Sequence, residues 1–210
     1  MTAADILKTI RTDNATALSR LGSSKALYAE TAGQLDAETV CNAAAAAEYA
    51  AYKTLSEWAA DESNDDAVAV FESIAEIEYE HFETVKTHRD SVAVEDAAVP
   101  KLQTVLRSYT DTIDRTGGLL GRCLVAKKSK EQYTGYFVGD ADPQTAQLFR
   151  ELGSDVTKQQ EQTLSLIDSV CEARVDYDRA VEAATAVIQA AYEEYTDSLE
   201  SLGVNPKPVC

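Results

Sequence analysis

Apolar residues recur along this chain at alternating spacings of three and four, the pattern of a helix with one buried face. Ile6, Ile10, Ala17 and Leu21 form the first such stripe and predict a helix over 3–21. Gly22, Ser23 and Ser24 loosen or end it, and 25–35 has room for another turn or two. Asp36 has the form of an N-cap, with Thr39 at the third helical position. The helix it opens runs to about Ala60, with Ala44, Glu48, Ala51, Leu55 and Trp58 as its stripe. The polar run Asp61-Glu62-Ser63-Asn64-Asp65-Asp66 predicts a turn. A third helix follows to about Asp90, with Phe71, Ile74, Glu78, His81 and Val85 as its stripe.

Pro100 suits the first turn of a fourth helix, which carries Leu102, Leu106, Tyr109, Ile113, Leu120 and Cys123 and is interrupted by Gly117-Gly118. The clearest break is Gly139-Asp140-Ala141-Asp142-Pro143, with Gly139 as C-cap, Asp142 as N-cap and Pro143 as the first helical residue. A fifth helix bears Phe149, Leu152, Val156, Gln159, Thr163 and Leu166. The last, over about 173–202, bears Val181, Ala184, Ile188, Ala191, Tyr195 and Leu199. It either continues the fifth or breaks near Cys171. No segment alternates with the period of two that marks a strand. The expected fold is all-α: a four-helix bundle over 36–172, preceded by a helical segment over 1–35 and followed by an amphipathic helix and tail over 173–210. The stretch from about 90 to 100 is the expected crossover between two helical hairpins.

Composition narrows the function classes. Thirty-six acidic against 19 basic residues give a formal net charge of -17. Such a surface repels phosphate, so nucleic acid and anionic membranes are not expected partners. The balance, rich in Ala, Thr, Asp and Glu, resembles that of proteins from salt-loving archaea, where surface charge serves solubility and self-repulsion is screened. Cys41, Cys123, Cys171 and Cys210 are far apart and form no C-x-x-C pair, which excludes zinc-knuckle and rubredoxin-type sites. They are expected to be reduced and mostly buried, with Cys210 exposed. With no apolar leader and no apolar run near the roughly 20 residues of a bilayer span, a cytoplasmic protein is expected.

The candidate chemistry sits inside the stripes. Glu78 and His81 are three apart and share a helical face. They stand where core leucines are expected, and Glu48 interrupts the neighbouring stripe in the same way. A buried carboxylate costs several kcal/mol unless paired or bound to a metal, about as much as a small domain's spare stability. Two carboxylates and an imidazole converging in a bundle suit iron or manganese. The competing reading is a hydrogen-bonded polar network at the edge of the core.

A Glu followed about thirty residues later by Glu-x-x-His, within Phe71-Glu72-Ser73-Ile74-Ala75-Glu76-Ile77-Glu78-Tyr79-Glu80-His81, resembles the first half of the ferritin-like, rubrerythrin-type di-iron proteins. The resemblance covers about residues 38–170. It implies a ferritin-like four-helix bundle, with Glu48, Glu78 and His81 as ligands to metal, and a second hairpin repeating the motif. A shift of 78 residues places Phe71 on Phe149, Trp58 on Tyr136 and Ile74 on Leu152, so the apolar frame repeats. The same shift places Glu48 on Ala126, Glu78 on Val156 and His81 on Gln159, so the ligands do not. Glu131, Asp155 and Glu161 are the nearest substitutes. A di-iron centre needs about four carboxylates and two histidines, and half of these stand at recognisable positions. The expectation is therefore one iron or manganese ion, or none.

The remaining features are weaker. Arg122, Lys127, Lys128 and Lys130 form a basic cluster expected on a solvated helix face, with binding of an anion or an acidic partner as the alternative. Tyr49, Tyr52, Tyr133 and Tyr136 are expected to pack within the bundle. His88 is expected on the surface near a helix C-terminus. Gly117-Gly118-Leu119-Leu120-Gly121 lacks the Lys-Ser or Lys-Thr of a phosphate loop and suits close helix packing. Two functions fit: a rubrerythrin-related protein with a partial metal site and a mononuclear binding or weak redox role, or a non-enzymatic scaffold or interaction module that has lost its di-iron centre. In the second, the C-terminal helix docks a protein partner or another copy through Tyr192–Leu199, giving a homodimer.

Overall fold

The computed structural model describes residues 1–88 and 98–207, and among these there is helix and connection but no strand. The helices are α1 (Ala3–Asp13), α2 (Ala15–Leu21), α3 (Ser24–Glu30), α4 (Ala37–Asp61), α5 (Asp65–His88), α6 (Lys101–Arg107), α7 (Thr112–Gly139), α8 (Pro143–Val170) and α9 (Arg174–Ser201). The all-α expectation holds. Short turns fold α4 on α5 and α7 on α8 into two hairpins, which meet chiefly where α5 touches α8. α9 lies along α7, and α1, α2, α3 and α6 pack on α9.

The stripes read from the sequence are the buried faces. One cluster joins Ile6, Ile10, Leu120, Ile188 and Leu199. A second joins Val40, Ala44, Val85, Tyr133, Phe137 and Phe149. A third joins Leu55, Trp58, Phe71, Ile74, Leu119 and Val156. Burying each large side chain stabilises by about 1.5–3 kcal/mol. Along α4, α5, α7 and α8 alike, the second and third clusters lie toward opposite ends; Glu48, Glu78 and His81 fall between them, while Arg122 and Gln159 come from within the stretch of the third.

Several boundaries differ from the expectation, each for a local reason. The first helix breaks at Asn14, whose buried side chain bonds the Ile10 carbonyl and Thr185 and accepts from Gln189 of α9. The fourth breaks at 108–111, not at the glycines. Asp111 accepts from the Ile113 amide at 3.0 Å, and Arg115 Nε bonds the Tyr109 carbonyl at 3.1 Å, which fixes the turn. Gly117 and Gly121 lie inside α7 without ending it. A Cβ there would stand 2.4 Å from the Ala180 carbonyl oxygen and 2.5 Å from that of Ala184, so they are where α9 comes closest.

Asp142 and Pro143 open α8 as expected, with Asp142 accepting from the Thr145 amide. Gly139 is the last residue of α7, and Ala141, at φ 58°, takes the left-handed position instead. α8 and α9 are separate helices, broken at 171–173. Tyr195 and Leu199 are buried within the chain, so the face expected to dock a partner is largely covered by the chain's own helices. Cys41, Cys123 and Cys171 are buried and outside any disulfide among the described residues; Cys210, Asp90 and most of the expected crossover lie outside the described residues. No helix among the described residues is long and apolar enough to cross a membrane.

Candidate functional site

The polar layer is assembled from four helices. α4 brings Glu48, and α5 brings Glu78 and His81 from one face. All three are buried, and one donor atom of each lies within 4.8 Å of the others. The convergence expected from the stripes is therefore present.

α7 supplies what the stripes did not disclose. Arg122 and Lys130, expected on a solvated face, are 5% and 3% exposed. Arg122 grips Glu78 with both terminal nitrogens, Nη1 to Oε1 at 2.8 Å and Nη2 to Oε2 at 2.6 Å. Its Nη1 also bonds Gln159 Oε1 at 3.1 Å, and Gln159 Nε2 donates to Glu78 Oε1 at 2.6 Å. Arg122 Nη2 stands 3.7 Å from Glu48 Oε2, and the Lys130 ammonium lies against Glu48 Oε1. Neither Glu48 oxygen has a well-aligned hydrogen bond. At the outer edge, His81 Nε2 is 3.4 Å from Asp155 Oδ2, while Asp155 Oδ1 pairs with Lys158 at 2.8 Å. His81 Nδ1 is buried without a hydrogen bond.

These contacts separate the two carboxylates electrostatically. Burial acts to raise the Glu78 carboxyl, but the Arg122 guanidinium outweighs it and holds the group well below its ordinary range. Burial pushes Glu48 up to about 8, with the Lys130 charge opposing and the Glu78 charge reinforcing the rise. Burial also lowers His81, against the pull of Glu78, so the imidazole is neutral at pH 7. With both carboxylates ionised, Glu48 and Glu78 balance Arg122 and Lys130. With Glu48 protonated, the cluster carries one surplus positive charge.

The donor set does not fit a pair of irons. Two glutamates and one histidine come from α4 and α5, and the corresponding positions of the second hairpin are Ala126, Val156 and Gln159. Gln159, the position corresponding to His81, nevertheless reaches Glu78 from α8. Of the substitute acids, Asp155 comes to His81, whereas Glu131 pairs with Lys128 at 2.8 Å and Glu161 is exposed. For a single ion, Glu48, Glu78 and His81 are the available donors, but a metal would compete with Arg122 for both Glu78 oxygens.

The phase of α7 held a signal for the missed residues. Lys130 is seven residues beyond Cys123 and three before Tyr133, and Arg122 is three beyond Leu119, all buried. The other basic residues stay peripheral: Lys127 reaches Thr157 at 3.4 Å and Lys128 pairs with Glu131. Tyr133 is buried against Phe149 and donates to Glu30. Tyr49, Tyr52 and Tyr79 form a ladder of ring contacts with Phe82 on the α4–α5 hairpin. His88 is half-buried, with its Nε2 2.7 Å from Thr145 Oγ1, and so is tied to α8 rather than free on the surface. Burial pushes the Cys123 thiol up to about 11, which makes it a poor nucleophile. Comparison of the chain with protein-family models, with curated proteins and with solved structures finds no match.

Proposed function

We propose that this protein is a non-enzymatic helical bundle on a ferritin-like plan, in which two of its own side chains have taken the place of metal. The observation that carries this reading is the two-pronged contact of Arg122 with Glu78. A guanidinium is permanently charged and matches a carboxylate edge to edge. Lys130 acts likewise on Glu48. Together they remove the negative surplus that would attract a divalent cation, and the function is then one of binding or scaffolding rather than redox chemistry.

A second reading rests on a separate observation. The Glu48, Glu78 and His81 donors lie within reach of one another, and His81 Nδ1 lacks a hydrogen-bond partner. These three would form a facial set for one iron or manganese ion if Arg122 swung away. Elemental analysis of protein purified without chelators separates the two. The proposal expects no stoichiometric iron, manganese or zinc, and a melting temperature indifferent to EDTA. About one ion per chain, lost on Glu78→Ala, would establish the second reading instead.

A further inference from the structure

Beside the ion-paired centre the packing leaves a cavity of about 350 Å³, bounded by α3, α4, α7 and α9 and by the segment entering α6. Ala43, Ala46 and Ala47 of α4 and Ala126 of α7 form much of its wall. Four methyl-sized side chains in this position leave a space that larger residues would have closed. The volume falls in the range of small-molecule sites.

The polar lining is asymmetric. Glu30, Glu48 and Glu194 border the cavity, against Arg122 and Lys130. Arg122 already places both terminal nitrogens on Glu78. Glu48 is fully buried, and neither of its oxygens has a well-aligned hydrogen bond, although the Lys130 ammonium lies close. Glu30 is exposed but crowded by protein, which raises its carboxyl; the Tyr133 hydroxyl and Lys130 oppose that rise, and the Glu194 charge adds to it. Glu194 is raised by burial too, and it accepts from the Lys101 amide at 3.1 Å. Two carboxylates that repel each other across an alanine-walled space would both be relieved by a positive charge between them. An anion would meet Glu30 and Glu194, and a neutral apolar molecule would strip their water without replacing it.

We propose that this cavity binds a compact organic cation, an alkylammonium whose charged head sits between Glu30 and Glu194 and whose alkyl body lies on the alanine wall. The inference goes beyond the reading of the ion-paired centre and stands whether or not Glu48 and Glu78 take a metal, because its key acids are Glu30 and Glu194.

The test is calorimetric titration of the full chain with n-butylammonium chloride, using n-butanol and sodium butyrate as neutral and anionic probes of the same shape. The expected result is saturable single-site binding of the amine, about tenfold or more tighter than either control. Glu30→Gln with Glu194→Gln, which keeps shape and hydrogen bonding, should weaken it by about tenfold or more while the melting temperature is maintained. Ala47→Leu, which fills the cavity without touching either acid, should abolish it. Absence of saturable amine binding, equal binding of butanol or butyrate, or full affinity in both variants would each overturn the proposal.

Discussion

Arg122 of α7 covers both carboxylate oxygens of Glu78 of α5, at 2.8 and 2.6 Å, and both side chains are buried. Removing one partner strands the other. Arg122→Ala should cost about 3–5 kcal/mol in chemical denaturation, because it leaves a carboxylate buried without its counter-charge. Arg122→Met with Glu78→Leu should recover most of that loss. A double variant as unstable as the single one would show that the pair contributes more than it costs to desolvate.

If Arg122 and Lys130 hold the place of a metal, deleting both should uncover a site. Arg122→Ala with Lys130→Ala leaves Glu48, Glu78 and His81 with a net negative charge and a set of donors suited to a divalent ion. The variant is expected to be destabilised in EDTA and to gain melting temperature with added Mn²⁺, as any ligand binding only the folded state must produce. Equal melting curves with and without Mn²⁺ would count against the substitution of side chains for metal.

The pH dependence of stability should carry the mark of Glu48. Its folded carboxyl is raised to about 8, so between the ordinary carboxylate range and pH 8 the folded state holds a proton that the unfolded chain has released. That contribution is fully present below the unfolded pKa and is lost as pH climbs through 8, with a slope of at most about 1.4 kcal/mol per pH unit. Glu78 acts oppositely, since its lowered carboxyl gives stability that disappears only in acid. His81, lowered by burial, works the other way below its ordinary value, so it is between pH 7 and 9 that thermal melts should fall with rising pH, and Glu48→Gln should flatten the fall. Glu30 and Glu194 are raised as well and should leave a residual slope in that variant.

The glycines of α7 should divide sharply. Gly117→Ala would set a Cβ 2.4 Å from the Ala180 carbonyl and 2.6 Å from its Cα, and Gly121→Ala repeats the clash at Ala184. Each should destabilise by about 1–3 kcal/mol, the cost of overpacking. Gly135 has nothing within 4 Å of the added methyl, so Gly135→Ala should stabilise by up to about 1 kcal/mol through helix propensity alone. Urea titrations of the three variants provide the comparison.

The buried faces were legible in the chain because one requirement, an apolar stripe repeating every three or four residues, governs them all. Glu48, Glu78 and His81 stood out for the same reason, as polar residues in apolar positions. Arg122 and Lys130 read as surface residues because neighbouring lysines at 127 and 128 make the segment resemble a solvated face, although their own phase matches Leu119, Cys123 and Tyr133. The break before α7 was hidden differently. Gly117-Gly118 advertised an interruption that α9 in fact fills, while the real turn depends on Arg115 reaching back to a carbonyl, a contact between residues six apart that no stripe records.

The backbone-to-backbone approach of α9 at Gly117 and Gly121 has a consequence for how the chain can be divided. A cut at 173 would leave a groove along α7 shaped to another helix's main chain, and would strip α1, α2, α3 and α6 of the surface they rest on. The last helix thus serves as a spine for both ends of the polypeptide, and the two hairpins are half of a larger interlocked unit rather than a detachable kernel with trimmings.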